Sequence, residues 1–209
     1  MEFNHFKSKI PALKTRNLGG LEAQFKLAPA LRLKYNSDKI KANNPRKAAV
    51  MVLFYPNKNN KTTFLLTKRA SYKGTHSAQI SFPGGKVDAL DANLQETARR
   101  ETFEEVGVQV ASRTVFREIT PVYIAPSNFL ATPFLALLSE KPKFSVNYEV
   151  ENIIEVLLED LLNDNALSIE NLTTSYMKNM DVPCFKLNGY VVWGATAMML
   201  SEIKELLKY

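Results

Sequence analysis

The sequence predicts an α/β fold, or the related α+β arrangement, with helices covering a mixed β-sheet. Strand-like apolar runs outnumber helical ones but are interleaved with them along the chain, which is the pattern of a sheet packed against helices. Two of those runs, AAVMVLFYP at 48–56 and TTFLLTKR at 62–69, are separated only by a polar connection containing NKNNK, so they predict an antiparallel hairpin. The length of 209 residues, with 45% hydrophobic and 23% charged residues, suits one globular domain with a substantial core.

The elements follow in order. Residues 1–35 read as helical in parts, interrupted at Pro11, at Gly19-Gly20 and at Pro29. SDKIKANNPR, at 37–46, reads as a loop leading into the sheet. After the hairpin, the polar stretch ASYKGTHSAQ leads to a short strand, ISF, that ends at Pro83-Gly84-Gly85. A helix comes next, with Asp91 as its N-cap and Gly107 as its stop. RTVFREITPVYIA at 113–125 and ATPFLALLS at 131–139 read as strands around a Pro126-Ser127-Asn128 turn. NIIEVLLEDLLND is a strand running into a short helix. The C-terminal part predicts strands near 173–178, 183–187 and 190–193 and a helix over about 194–208.

Composition narrows the function classes. There is no apolar run of membrane-spanning length and no signal-peptide core in MEFNHFKSKIPALK, so the expected location is the cytoplasm. The single cysteine, Cys184, forms no internal disulfide and no metal-ligand cluster. The net charge is +6, and it is uneven. Residues 1–47 carry eleven Lys/Arg against three acids, a net of +8, which leaves −2 for the remainder. A basic segment attracts anionic partners, but it lacks the aromatic interleaving of a nucleic-acid surface, and a solvated helical face accounts for it equally well.

The chemistry concentrates between residues 84 and 108, GGKVDALDANLQETARRETFEEVGV. At 100° per residue, Glu105 lies about 40° from Glu101, and Glu104 lies about 60° on the other side. Three carboxylates therefore share one narrow helix face, where they repel one another. Clustered carboxylate oxygens are what hard cations such as Mg²⁺ or Mn²⁺ require, and a bound cation offsets that repulsion. The preceding Gly-Gly lets backbone carbonyls approach a ligand closely. This stretch resembles the box of the Nudix hydrolase superfamily, G-x5-E-x7-R-E-U-x-E-E-x-G-U, with U a bulky aliphatic. From Arg100 the chain reads R-E-T-F-E-E-V-G-V. It departs at Thr102, where the pattern has an aliphatic, and at Asp91, which stands for the upstream glutamate with eight rather than seven residues before Arg100.

The region ahead of the box is similar to that of the coenzyme A diphosphatase branch, whose motif is close to LLTxR[SA]x3Rx3Gx3FPGG. The chain has LLTKRASYKGTHSAQISFPGG from Leu65 to Gly85, departing at Gly74 and at Ala78. The missing cation at position 74 falls to Lys73 or to His76. PVYIAPSNFLATPF, the Glu149-Val150 pair and VVWGATA extend the likeness to about residues 47–207. The resemblance implies a Nudix α/β/α sandwich over 47–209, a mixed sheet between helices, with 1–46 as a basic segment packed on it.

It also implies metal-dependent hydrolysis of a diphosphate bond in coenzyme A or an acyl-CoA, giving 3′,5′-ADP and 4′-phosphopantetheine. Glu101, Glu104, Glu105 and the Gly85 carbonyl are then the ligands of Mg²⁺ or Mn²⁺. The general base is Glu101 or Glu149, and Arg100 orients a glutamate beside them. Arg69, Lys73, Phe82, Ser127 and Asn128 are the candidate substrate contacts, Arg69 because a guanidinium grips a phosphate bidentately. Trp193 reads as core packing or as a stacking partner for adenine. Two other readings stay open: hydrolysis of ADP-ribose, NADH or another nucleoside diphosphate derivative, and a catalytically silent Nudix domain that binds its ligand. The expected partner is a small molecule rather than nucleic acid, and a homodimer is compatible with the sequence.

Overall fold

The computed structural model describes residues 1–70 and 79–208. Lys73, Gly74, His76 and Ala78 therefore lie outside the described residues. The chain begins with four helices: α1 (Phe3–Thr15), α2 (Gly20–Phe25), α3 (Ala30–Leu33) and α4 (Ser37–Ala42). The hairpin follows as β1 (Arg46–Pro56) and β2 (Thr62–Arg69), antiparallel with Phe54 opposite Phe64. Then come β3 (Ile80–Ser81), β4 (Gly84–Lys86) and α5 (Leu94–Val106). β5 (Val115–Glu118), β6 (Val122–Ile124), β7 (Phe129–Leu137) and β8 (Val150–Leu157) complete the main sheet, and α6 (Leu158–Leu162) follows. β9 (Leu167–Thr174), β10 (Met177–Leu187) and β11 (Tyr190–Trp193) form a second, three-stranded sheet before the closing helix α7 (Gly194–Leu207).

The main sheet is mixed: β1 and β7 run parallel along nine residue pairs, from Arg46/Phe129 to Phe54/Leu137, while its other pairings are antiparallel. β1 is buried on both faces. Ala49, Met51, Leu53 and Tyr55 pack with Ala98 and Val106 of α5. Ala48, Val52 and Phe54 join Phe6, Ile10 and Leu13 of α1 and Met198 and Leu200 of α7 on the other side. This period-2 division of one strand between two cores makes the α/β/α sandwich.

One irregularity positions the site. Next to the turn, β1 pairs with β2 at residues 54–56. Further down the fork opens: β1 pairs instead with β4 through Ala48–Val50, and β2 pairs with β3 through Thr67 and Lys68. The segment 80–86 is thus wedged between them, pinned by the Met51 N–H donating to the Pro83 carbonyl at 2.9 Å. The wedge carries Gly84 and Gly85 to the flank of α5.

Several sequence expectations are corrected. Pro11 does not interrupt α1, because Phe6 and Ile10 before it and Leu13 after it are buried in one core and hold both halves in line. Residues 37–42 are helical rather than looped, since the Asn36 side chain accepts from the Lys39 N–H at 2.9 Å and caps them. The N-cap of α5 is Asn93, accepting from the Glu96 N–H at 3.0 Å, and not Asp91, whose carboxylate is engaged elsewhere. The run 113–125 divides at Pro121, which lacks a donor for the ladder, into β5 and β6. The strand placed at 173–178 straddles the turn between β9 and β10. Gly107 ends α5 as expected, at φ 71°, where a β-carbon would meet Ser145.

Candidate active site

The site is built on one face of α5 and on the wedge beside it. Thr102, where an aliphatic side chain was the expectation, is fully buried, and its hydroxyl donates to the Ala98 carbonyl one turn back at 2.6 Å, so the polar atom is satisfied within the helix. The outward face presents Glu101, Glu104 and Glu105. A β-carbon on Gly85 would lie 2.5 Å from the Glu101 carboxylate carbon, so that carboxylate occupies space only a glycine leaves open. The Gly84 N–H donates to Glu105 Oε2 at 3.1 Å. Gly84 itself has φ 154°, and a β-carbon there would be 2.4 Å from the Ala49 carbonyl oxygen.

Two arginines organise the carboxylates. Arg100 grips Asp91 with Nε and Nη2, both at 2.9 Å, and reaches Glu101 at 2.9 Å and Glu104 at 3.1 Å with Nη1. Its Nη2 also donates to the Lys86 carbonyl. The guanidinium is committed to the protein and positions the acidic face. The fork with Arg100 also explains Asp91, whose pKa it holds well below the usual carboxylate range. Arg69 spans Glu105 and Glu149 at 3.3 Å each, and its Nε is buried with no acceptor.

Burial dominates the electrostatics. The Glu105 side chain keeps 4% exposure, and desolvation pushes its pKa up to about 7, with Glu101 and Glu149 adding to the rise and Arg69 and the Gly84 N–H opposing it. Glu101 is raised for the same first reason, against the pull of Arg100. Among the described residues, no three His, Cys, Asp or Glu side chains are gathered at ion-binding distance as they stand; Glu101 and Glu104 are drawn to Arg100, and Glu105 to Arg69. The donor set nevertheless fits a hard divalent cation in chemistry. It consists of carboxylate oxygens whose mutual repulsion and burial a cation would offset.

Glu101, Glu105, Glu149, Arg69, Gly85 and Phe82 line one cavity of about 450 Å³. Ser127 lies on its wall, with a buried hydroxyl that has no partner. Asn128 is not on the wall. It adopts φ 51°, and its amide bridges the Tyr123 hydroxyl and the Asn43 carbonyl, so it shapes the turn. Glu104 is the most exposed of the three box glutamates, at 51%, and is likewise absent from the wall. Trp193 joins Tyr176 on the wall, ring centroids 6.4 Å apart, so it faces the cavity instead of packing inside the core. Arg32, on the same wall, had no sequence signal beyond membership of a basic segment.

The comparisons agree with this geometry. The NUDIX domain profile matches residues 45–171. The chain is 37% identical over 144 residues to an uncharacterized Nudix hydrolase, NudL, of Yersinia enterocolitica, covering 68% of this chain and 73% of that protein. It is 32% identical over 162 residues to the peroxisomal coenzyme A diphosphatase ndx-8 of Caenorhabditis elegans, covering 76% and 68%. Nudix hydrolase 22, chloroplastic, of Arabidopsis thaliana is 29% identical over 163 residues. The chain spans about half the length of the Arabidopsis relatives, 53% and 56%. A MutT/nudix family protein from Enterococcus faecalis shares the fold, with a TM-score of 0.55 at 17% identity over 78% of this chain and 62% of that one. With the glutamate helix, the glycine wedge and the profile match in agreement, the chain belongs to the Nudix family.

Proposed function

We propose that the chain is a metal-dependent hydrolase of the diphosphate bond in coenzyme A or acyl-CoA, releasing 3′,5′-ADP and (acyl-)4′-phosphopantetheine. The observation that carries this reading is the placement of Glu101, Glu105 and Glu149 at the wall of a cavity that is elsewhere largely apolar and aromatic. The named activity of the Caenorhabditis relative supports the choice of substrate. Glu101, Glu104 and Glu105, with the Gly85 carbonyl, would hold Mg²⁺ or Mn²⁺, which when bound neutralises diphosphate oxygens and polarises water.

The chain's own residues do the rest. Glu101 accepts the proton of the attacking water as the phosphorus–oxygen bond of the anhydride breaks. It suits that task better than Glu149 because it lies deeper in the site, 16% exposed against 41%. Arg100 fixes the Glu101 carboxylate against Gly85. Arg69 stands where a diphosphate oxygen can take over from Glu105 as its partner. Phe82, only 2% exposed, supplies an apolar part of the cavity wall next to Gly84 and Gly85.

The test is a product assay. Purified protein is incubated with coenzyme A, acetyl-CoA, NADH or ADP-ribose and with Mg²⁺ or Mn²⁺, and the products are identified by mass. Release of 3′,5′-ADP with 4′-phosphopantetheine is the expected result. Consumption of NADH or ADP-ribose without coenzyme A cleavage would move the substrate to another nucleoside diphosphate derivative. No reaction with any of the four would overturn the coenzyme A reading in favour of another diphosphate substrate or of ligand binding alone.

A further inference from the structure

The N-terminal segment contributes one charged group to the cavity. Arg32, on α3, is 5% exposed and lines the same wall as Ser127 and Tyr123. Its guanidinium lies 5.1 Å from the Phe25 ring centroid and 5.7 Å from that of Tyr123. Nη1 donates to the Tyr35 carbonyl at 2.8 Å, while Nε is buried with no acceptor. Among the described residues no carboxylate pairs with it. Every other arginine on the cavity wall is paired: Arg69 has two acids. A buried cation without a counter-charge carries a desolvation cost that aromatic faces and one carbonyl offset only in part.

The position of Arg32 separates it from the acidic helix. Gly85 of β4 pairs with Ala49 of β1, β1 pairs with β7, and β7 pairs with β6, which carries Tyr123. Three strand spacings, about 14 Å, therefore separate the β4 backbone beside the glutamates from the β6 backbone that carries Tyr123. The cavity lining includes Glu101 and Glu105 beside the wedge and, beside Tyr123, a guanidinium without a carboxylate partner.

We propose that Arg32 binds a second phosphate of the substrate, a monoester distinct from the scissile diphosphate. Resting on the coenzyme A reading above, this group is the 3′-phosphate of the adenosine moiety. Arg32 acts in binding and selects substrates that carry the extra phosphate; it takes no part in bond breaking. A purely structural Arg32, stapling the N-terminal helices to Tyr123, would show no such selectivity.

The experiment compares ligands that differ only in that phosphate. Binding of 3′,5′-ADP and of 5′-AMP is measured by calorimetry on the full chain, alongside KM for coenzyme A and for 3′-dephospho-coenzyme A. Expected for the wild type is a preference of at least about tenfold for the phosphorylated member of each pair. Arg32→Met is expected to erase the preference, whereas Arg32→Lys retains part of it. Equal binding of 3′,5′-ADP and 5′-AMP by the wild type overturns the proposal even if Arg32→Met does not fold. So does a folded Arg32→Met that keeps the preference. If neither coenzyme is cut but 3′,5′-ADP still binds tightly through Arg32, the phosphate site stands and the substrate assignment falls. If both are cut with equal KM, the hydrolase stands and the site falls.

Discussion

Glu105 is held by opposing forces. Burial favours its neutral form, while Arg69 and the Gly84 N–H favour the anion. On the proposed reading Glu105 is a metal ligand, and Glu105→Gln removes its carboxylate at nearly constant volume. Turnover is expected to fall at least about hundredfold, with an unchanged circular dichroism spectrum. Near-normal turnover of that variant would refute its place in the metal set. Asp91 makes the opposite case. Its folded pKa is depressed by Arg100, so it contributes stability that is present above the ordinary carboxylate pKa, about 4, and is lost as pH falls through the depressed value. In urea melts the gap between wild type and Asp91→Asn should be full at pH 7 and narrow below about pH 4; a gap that does not change with pH would show that the fork with Arg100 is not its source. At this scale the sequence disclosed the glutamates through their spacing. It did not disclose the Arg100 fork, because Asp91 and Asn93 both belong to residue types that cap helices, and only the fold shows which of them meets the arginine nine residues on.

At the scale of elements, the helix and the wedge are interdependent. α5 starts where Asn93 caps it, and Asn93→Ala should cost about 1 kcal/mol in chemical denaturation. The wedge is less forgiving. Gly84 approaches the Ala49 carbonyl too closely for a β-carbon, so Gly84→Ala is expected to destabilise the protein by about 1–3 kcal/mol and to lower activity by moving Gly85 away from Glu101. An active variant of unchanged stability would mean that the wedge relaxes without cost. Strands and hairpin were legible because apolar runs and turn residues are local signals. The fork between β1 and β2 was not, since it depends on β3 and β4 competing for ladder positions that β1 and β2 would otherwise share.

Across the whole molecule, the basic N-terminal segment contributes α1 to one layer of the sandwich, alongside α7. Phe6 is fully buried with its ring 4.9 Å from that of Phe54, and the chain start is tied to the hairpin by the Phe3 N–H donating to the Asn60 carbonyl and the Thr62 N–H to the Met1 carbonyl, both at 2.9 Å. Phe6→Ala should therefore lose about 3–5 kcal/mol in urea unfolding; a loss below about 1 kcal/mol would make the segment an accessory. The segment's charge was visible in the sequence, but which of its side chains are buried was not. Sequence alone determined the helix with its three co-facing glutamates, the hairpin, the glycine stop and the family resemblance, because each is set by spacing over a few residues. Only the tertiary structure decided that Arg69 bridges Glu105 and Glu149, that Trp193 faces the cavity, and that Arg32 is buried on its wall. Two of those outcomes join residues 80 and 91 positions apart along the chain, Arg69 with Glu149 and Arg32 with Tyr123, and no local periodicity encodes such a meeting.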